Sequence, residues 1–109
     1  MVGFALALIR LMAAAPDERV RDGVQGVSIA DSIPPPERRI EWAIVRAMAL
    51  AEAGRFDEAI ALQRAAITTL ERNGSADLAN TQTGVLRLYE SRRPSRMPWQ
   101  ADEPMELPS

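Results

Sequence analysis

Ala53-Gly54-Arg55-Phe56-Asp57-Glu58-Ala59-Ile60 is the stretch that decides the fold of this chain. Glycine readily takes the left-handed conformation that closes a helix, so Gly54 ends the segment before it. That segment, Glu37 to Ala53, contains neither Gly nor Pro and is dominated by alanine, leucine, methionine, glutamate and arginine, all strong helix formers. Pro34-Pro35-Pro36 opens it, because proline costs nothing in a first turn where its missing N–H has no partner anyway. Apolar side chains cover most of this helix, with Ile40, Ile44, Ala47, Met48 and Ala51 on one side and Trp42, Val45 and Ala49 on another, so it expects neighbours on two sides. After the glycine, a helix over 56–72 sets Phe56, Ala59, Ile60, Ala66, Ile67 and Leu70 on one stripe opposite Asp57, Glu58, Arg64, Thr68 and Glu71. One apolar stripe predicts an outer helix.

Further out the same signals recur. Phe4, Leu8 and Leu11 follow the i, i+4, i+7 spacing of a first helix over 3–14, which Pro16 ends. Asp22 with Gln25 resembles a capping box, and Val24, Val27 and Ala30 then recur every three residues, predicting a helix over 22–32. Asn73-Gly74 lies between helical periodicities, so it is a helix end rather than a hairpin turn. Ser75 offers an N-cap for a fifth helix to Arg92, with Leu78, Val85 and Tyr89 spaced at +7 and +11 and Gly84 weakening it by about 1 kcal/mol. The reading is an all-α array of five helices over 1–93, followed by a proline-rich tail, 94–109, with four of the eight prolines.

The 109 residues build one core, and 47% hydrophobic with 26% charged residues fits a domain that folds in water. Cysteine and histidine are absent and all 13 basic residues are arginine. Thiol and imidazole catalysis, histidine or cysteine metal sites, disulfides and lysine chemistry are therefore excluded, and a serine nucleophile has no conventional base. The carboxylate clusters Asp17-Glu18 with Asp22, Asp57-Glu58 and Asp102-Glu103 form no cation-binding loop and read as caps and solvated surface. No catalytic residue, metal ligand or cofactor is expected. The net charge of −2 argues against nucleic acid and anionic membrane, and Arg92, Arg93 and Arg96 near Trp99 are surrounded by Glu90, Asp102, Glu103 and Glu106. The Ala13-Ala14-Ala15 run lacks the preceding positive charge of a signal peptide, so cytoplasmic residence is expected, and the apolar run is too short to span a bilayer.

The window Ile40 to Asn73 spans 34 residues, and Ala47, the Gly54 to Ile60 turn and the Ala66-Ile67 pair sit where the tetratricopeptide (TPR) repeat places its small residues, turn and closing hydrophobic pair. The chain resembles that family over residues 3–99, and in particular a bacterial variety. There a degenerate pair, here 3–32 with Pro16-Asp17 and Arg21-Asp22-Gly23, precedes a regular repeat, 40–73, and a capping helix, 75–92, ending in Leu88-Tyr89 and Arg93-Pro94. The chain departs from the pattern at Ala43, where a large aromatic is usual and Trp42 is the neighbour available to fill its place. It departs also at Arg46 for leucine, Gln63 for an aromatic, Glu71 for proline and Gly26 for alanine.

The resemblance implies a groove for a protein or peptide partner, lined by Glu41, Ile44, Met48, Ala51 and Glu52, unless the first and fifth helices or a second copy cover that face as core. It implies a non-catalytic adaptor or assembly module. Two alternatives stand beside it: a self-associating homodimer, and a regulatory piece of a larger enzyme. Because such arrays need about three repeats to bury a continuous core, the first helix is expected to self-associate through Phe4, Leu8 and Leu11.

Overall fold

The structure is a computed structural model of the chain and describes residues 2–14, 21–37 and 39–95. Among them are five α-helices, α1 (Val2–Ala14), α2 (Gly23–Asp31), α3 (Ile40–Glu52), α4 (Phe56–Arg72) and α5 (Ala76–Glu90), and no strand. The all-α expectation holds. The acidic residues Asp17 and Glu18 and the tail from Arg96 onward lie outside the described residues.

Helix ends follow from local chemistry. Asp22 caps α2, its carboxylate accepting the Gln25 N–H at 3.0 Å, as the Asp22-Gln25 spacing suggested. Pro35–Glu37 forms a separate 3-10 turn, and α3 starts only at Ile40, later than the prolines alone implied. Gly54 and Gly74 have φ of +85° and +77°, the left-handed conformation expected of them. Each lets the next N–H reach back over the helix end, Arg55 to the Leu50 carbonyl at 2.8 Å and Ser75 to the Leu70 carbonyl at 2.9 Å. The end of α5 repeats this closure without a glycine. Arg92 takes φ +60°, and the Arg93 N–H reaches the Leu88 carbonyl at 2.9 Å. Ser75 precedes α5 but makes no side-chain cap.

Helix α3 is the centre of the packing and contacts α1, α2 and α4, while α5 lies against α4. Its Val45, Ala47, Met48, Ala49, Leu50 and Ala51 are all buried, which is the multi-sided burial its composition predicted. Helix α4 buries Ala59, Gln63, Ala66, Ile67 and Leu70 and exposes its opposite face. Two apolar residues of these patterns face outward. Val24 is exposed, since α2 turns Gly23, Gly26, Val27 and Ala30 toward α3, and Leu78 is exposed because Ala79, Val85 and Tyr89 form the buried stripe of α5.

The α2 face explains Gly26, the departure from alanine. A methyl group there would sit 3.0 Å from the Ala49 Cβ, and one at Gly23 would sit 2.5 Å from the Ala53 nitrogen. The two helices touch where side chains are missing. Gly23→Ala is therefore expected to lower stability by about 3 kcal/mol, and Gly26→Ala by less, because better helix propensity offsets part of the overlap. Gly84→Ala, at an exposed site with open space around it, should raise stability by about 1 kcal/mol. Urea midpoints of the three variants check this; a Gly23→Ala chain as stable as the natural one contradicts the close approach.

Candidate interaction surface

Helix α3 carries the five residues expected to line a groove, and the structure divides them. Met48 and Ala51 are only 3% and 2% exposed, and they belong to one core cluster with Leu6, Ile9 and Ala13 of α1 and Val85 and Tyr89 of α5. Both are corrected from groove lining to core, because neighbouring helices cover that face. Ile44 is half-buried and Glu41 exposed. The two glutamates are held by arginines from the preceding segment, Glu41 by Arg10 at 3.4 Å and Glu52 by Arg21 at 3.5 Å. The open part of the expected groove is thus Ile44 with a rim of paired carboxylates.

Helix α1 is apolar on both sides. Leu6, Ile9 and Ala13 enter the core, while Phe4 is 72% exposed, Ala7 is exposed, and Leu8 and Leu11 are half-buried. At 100° per residue Phe4, Ala7, Leu8 and Leu11 form one outward face. The sequence pattern had marked this face, and the structure leaves it facing out.

Between α3 and α4 lies a cleft of about 470 Å³ lined by Arg39, Ile40, Trp42, Ala43, Ala65, Ala66, Thr69 and Asn73. It opens beside Ala43, where the repeat resemblance called for an aromatic ring. Trp42 does not close it: its indole N–H donates to the Ala30 carbonyl of α2 at 2.8 Å, and Arg46 lies 5.8 Å from the ring. Arg46, the residue in place of leucine, also bonds Asp31 at 2.8 Å.

Several of the described carboxylates pair with arginines at the surface. Arg55 meets both oxygens of Glu58 at 2.8 Å, which lowers the Glu58 pKa from its ordinary value. Arg92 bonds Asp57 at 3.0 Å and lies 5.9 Å from the Phe56 ring, and Arg64 bonds Glu90 at 2.9 Å. Arg92 thereby ties the end of α5 to the start of α4 and is engaged with protein, whereas Arg96 and Trp99 lie outside the described residues. Among the described residues no group of three acidic side chains gathers around a cation site, and no helix is long and apolar enough to cross a membrane.

Polar groups inside the α4–α5 contact were not foreseen. Gln63 is fully buried and donates to the Gln82 carbonyl at 2.9 Å and the Gln82 side-chain oxygen at 2.8 Å. The hydroxyl of buried Tyr89 makes no hydrogen bond, and burial pushes its pKa well above the ordinary tyrosine value.

No family model matches the chain, and neither a curated protein nor a solved structure does.

Tyr89 is the one tyrosine in a chain without lysine, histidine or cysteine, so no other side chain titrates between the carboxylate and arginine ranges. Its folded pKa is raised, so the folded phenol keeps its proton where the unfolded one ionises, and the unfolded state then binds fewer protons. Stability is present in full below about pH 10 and falls as pH rises, by about 2 kcal/mol at roughly pH 11.5. Urea titrations near pH 8 and pH 11.5 should show that loss in the natural chain and little of it in Tyr89→Phe. An equal loss in both would contradict the burial of the phenol.

Proposed function

We propose that this chain is a non-catalytic protein-interaction module, a TPR-like helical array that docks through the outward face of α1. The observation that carries this is Phe4, 72% exposed on a helix whose opposite side is committed to the core. A contiguous apolar face that water covers is a standing incentive to bind. The repeat reading is supported by the left-handed Gly54, by Ala59 and Ala66 buried in α4, and by hairpin-like packing of α3 on α4. A non-catalytic role is supported by the residue types in hand, since the chain has no histidine, cysteine or lysine and its described acids are largely held by arginine. On α3 the partner-facing residues narrow to Glu41, Ile44 and Glu52.

The same α1 face favours a second reading, a homodimer. An apolar strip along a helix can pack on its own copy, and two-fold dimers are the commonest closed assemblies. Phe4, Leu8 and Leu11 then form the centre of the contact.

Sedimentation equilibrium at micromolar concentration is expected to give twice the chain mass of 12.0 kDa, returning to the single mass in Phe4→Asp and Leu8→Asp. A native chain that stays at 12.0 kDa refutes the homodimer. Affinity capture then tests the module itself: proteins held by the natural chain should be lost with Phe4→Asp or Ile44→Arg, at unchanged helical content. Identical capture by all three chains would refute the proposed faces.

A further inference from the structure

Asn73-Gly74 is the one Asn-Gly pair in the chain, and the closure of α4 accounts for its glycine but not for its asparagine. Asn73 follows α4 with φ −85° and ψ 2°, and Gly74 takes φ +77°. Both residues are exposed, with open space around Gly74. The Asn73 carboxamide makes no hydrogen bond among the described residues, so no partner holds its orientation.

Asparagine is chemically labile, and most so before glycine, where no side chain shields the next backbone nitrogen. That nitrogen, having given its proton to a solvent base, attacks the Asn73 Cγ. The new N–C bond closes a five-membered succinimide while the Cγ–Nδ2 bond breaks and ammonia leaves with a proton returned from solvent. Water then opens the ring. Attack at Cγ leaves aspartate in an ordinary main chain, and attack at the backbone carbonyl leaves isoaspartate, with the main chain running through Cγ. Nothing is oxidised or reduced.

The native turn slows this reaction without blocking it. Ring closure needs Cβ of Asn73 and the Gly74 nitrogen nearly eclipsed about the Cα–C bond, whereas a ψ of 2° sets them about 120° apart. The Gly74 N–H also donates to the Glu71 carbonyl at 3.1 Å, and the Ser75 N–H closes the turn on Leu70 at 2.9 Å. Both bonds lie at an exposed helix end, a place that opens at far less cost than the whole chain. Asn80, the other asparagine, has no such route. It lies within α5, before the β-branched Thr81, whose hydroxyl donates to the Asp77 carbonyl at 3.2 Å.

We propose that Asn73 is a self-modifying site, converted by water to aspartate and isoaspartate through local opening of the α4–α5 turn, and that the conversion loosens α5 from α4. The new carboxylate stands at the negative end of α4, close in sequence to Glu71. Isoaspartate lengthens the main chain by one carbon, which takes the Ser75 N–H out of register with the Leu70 carbonyl. Leu70 also packs with Ile67 and with Ala79 of α5, so the loss reaches the apolar contact that joins the two helices.

The test is incubation of the full chain in mildly alkaline buffer, followed by cleavage at arginine and peptide mass analysis with fragmentation to place the product. Expected is conversion at Asn73 and none at Asn80, on the order of tenfold slower than in denaturing urea, and little changed by sub-denaturing urea. Conversion at Asn80, or a native rate equal to the denatured one, overturns the proposal. So does a native rate that climbs with urea in step with global unfolding, which would assign the reaction to the unfolded chain. A native chain still unconverted after the denatured one has reacted many times over also overturns it. In the converted chain, hydrogen exchange should quicken across 76–90 and stay unchanged at Val45 to Leu50. Asn73→Gln, whose longer side chain would have to close a six-membered ring, should gain no mass and keep its α5 protection through the same incubation. Equal loss of that protection in Asn73→Gln, or its retention in the converted natural chain, refutes the loosening.

Discussion

At Gly23 the backbone of α2 meets the backbone of α3 with no side chain between them. A single added methyl would press on the Ala53 nitrogen, the Ala49 carbonyl and the Glu52 carbonyl carbon together. Backbone does not yield as a side-chain tip does, so this contact sets the distance between the two helices. The facing residue is small to match, since Ala49 meets Gly26, and Ala47 and Ala51 on the same helix are buried too. With α1, α2 and α4 all drawn onto α3, the middle of α3 is used up as core. Toward its start, Ala43 and Ile44 remain only half-buried.

The sequence was most informative where one residue type has one structural meaning. Gly54 and Gly74 marked the ends of α3 and α4 because a left-handed residue at a helix end is usually glycine, and α4 runs over 56–72 as its single stripe indicated. Arg92 adopts the same conformation and carries no such mark. Its tolerance of the strain goes with its contacts to Asp57 and Phe56, which are made between helices and so are invisible to a periodicity. Gly26 was visible as a departure, but its meaning required the position of Ala49. Met48 and Ala51 show the general limit: spacing gives the face of a helix on which a residue sits, and says nothing of what covers that face. Ala43 lines a surface depression between α3 and α4.

Using arginine as the only basic side chain has consequences of its own. A guanidinium can bond a carboxylate with two parallel N–H groups and lie against an aromatic ring, and the chain uses both abilities. Arg55 takes both oxygens of Glu58, while Arg46 joins Asp31 and the face of Trp42. Arg46 thereby occupies a position where the repeat resemblance called for leucine, with its charge paired at the surface. Such exposed pairs add little stability each. Their effect here is to orient α2, α3, α4 and α5 at their edges, leaving the apolar interior to hold them together.

If α3 is the element on which the others depend, its amides must open only when the whole chain unfolds. Native-state hydrogen exchange reads this residue by residue. The prediction is that Val45 to Leu50 exchange most slowly, with the free energy of global unfolding, while the outer helix α5 opens at lower cost. Amides of α3 that exchange as fast as those of α5, while α4 and α5 remain protected together, would contradict a fold centred on α3.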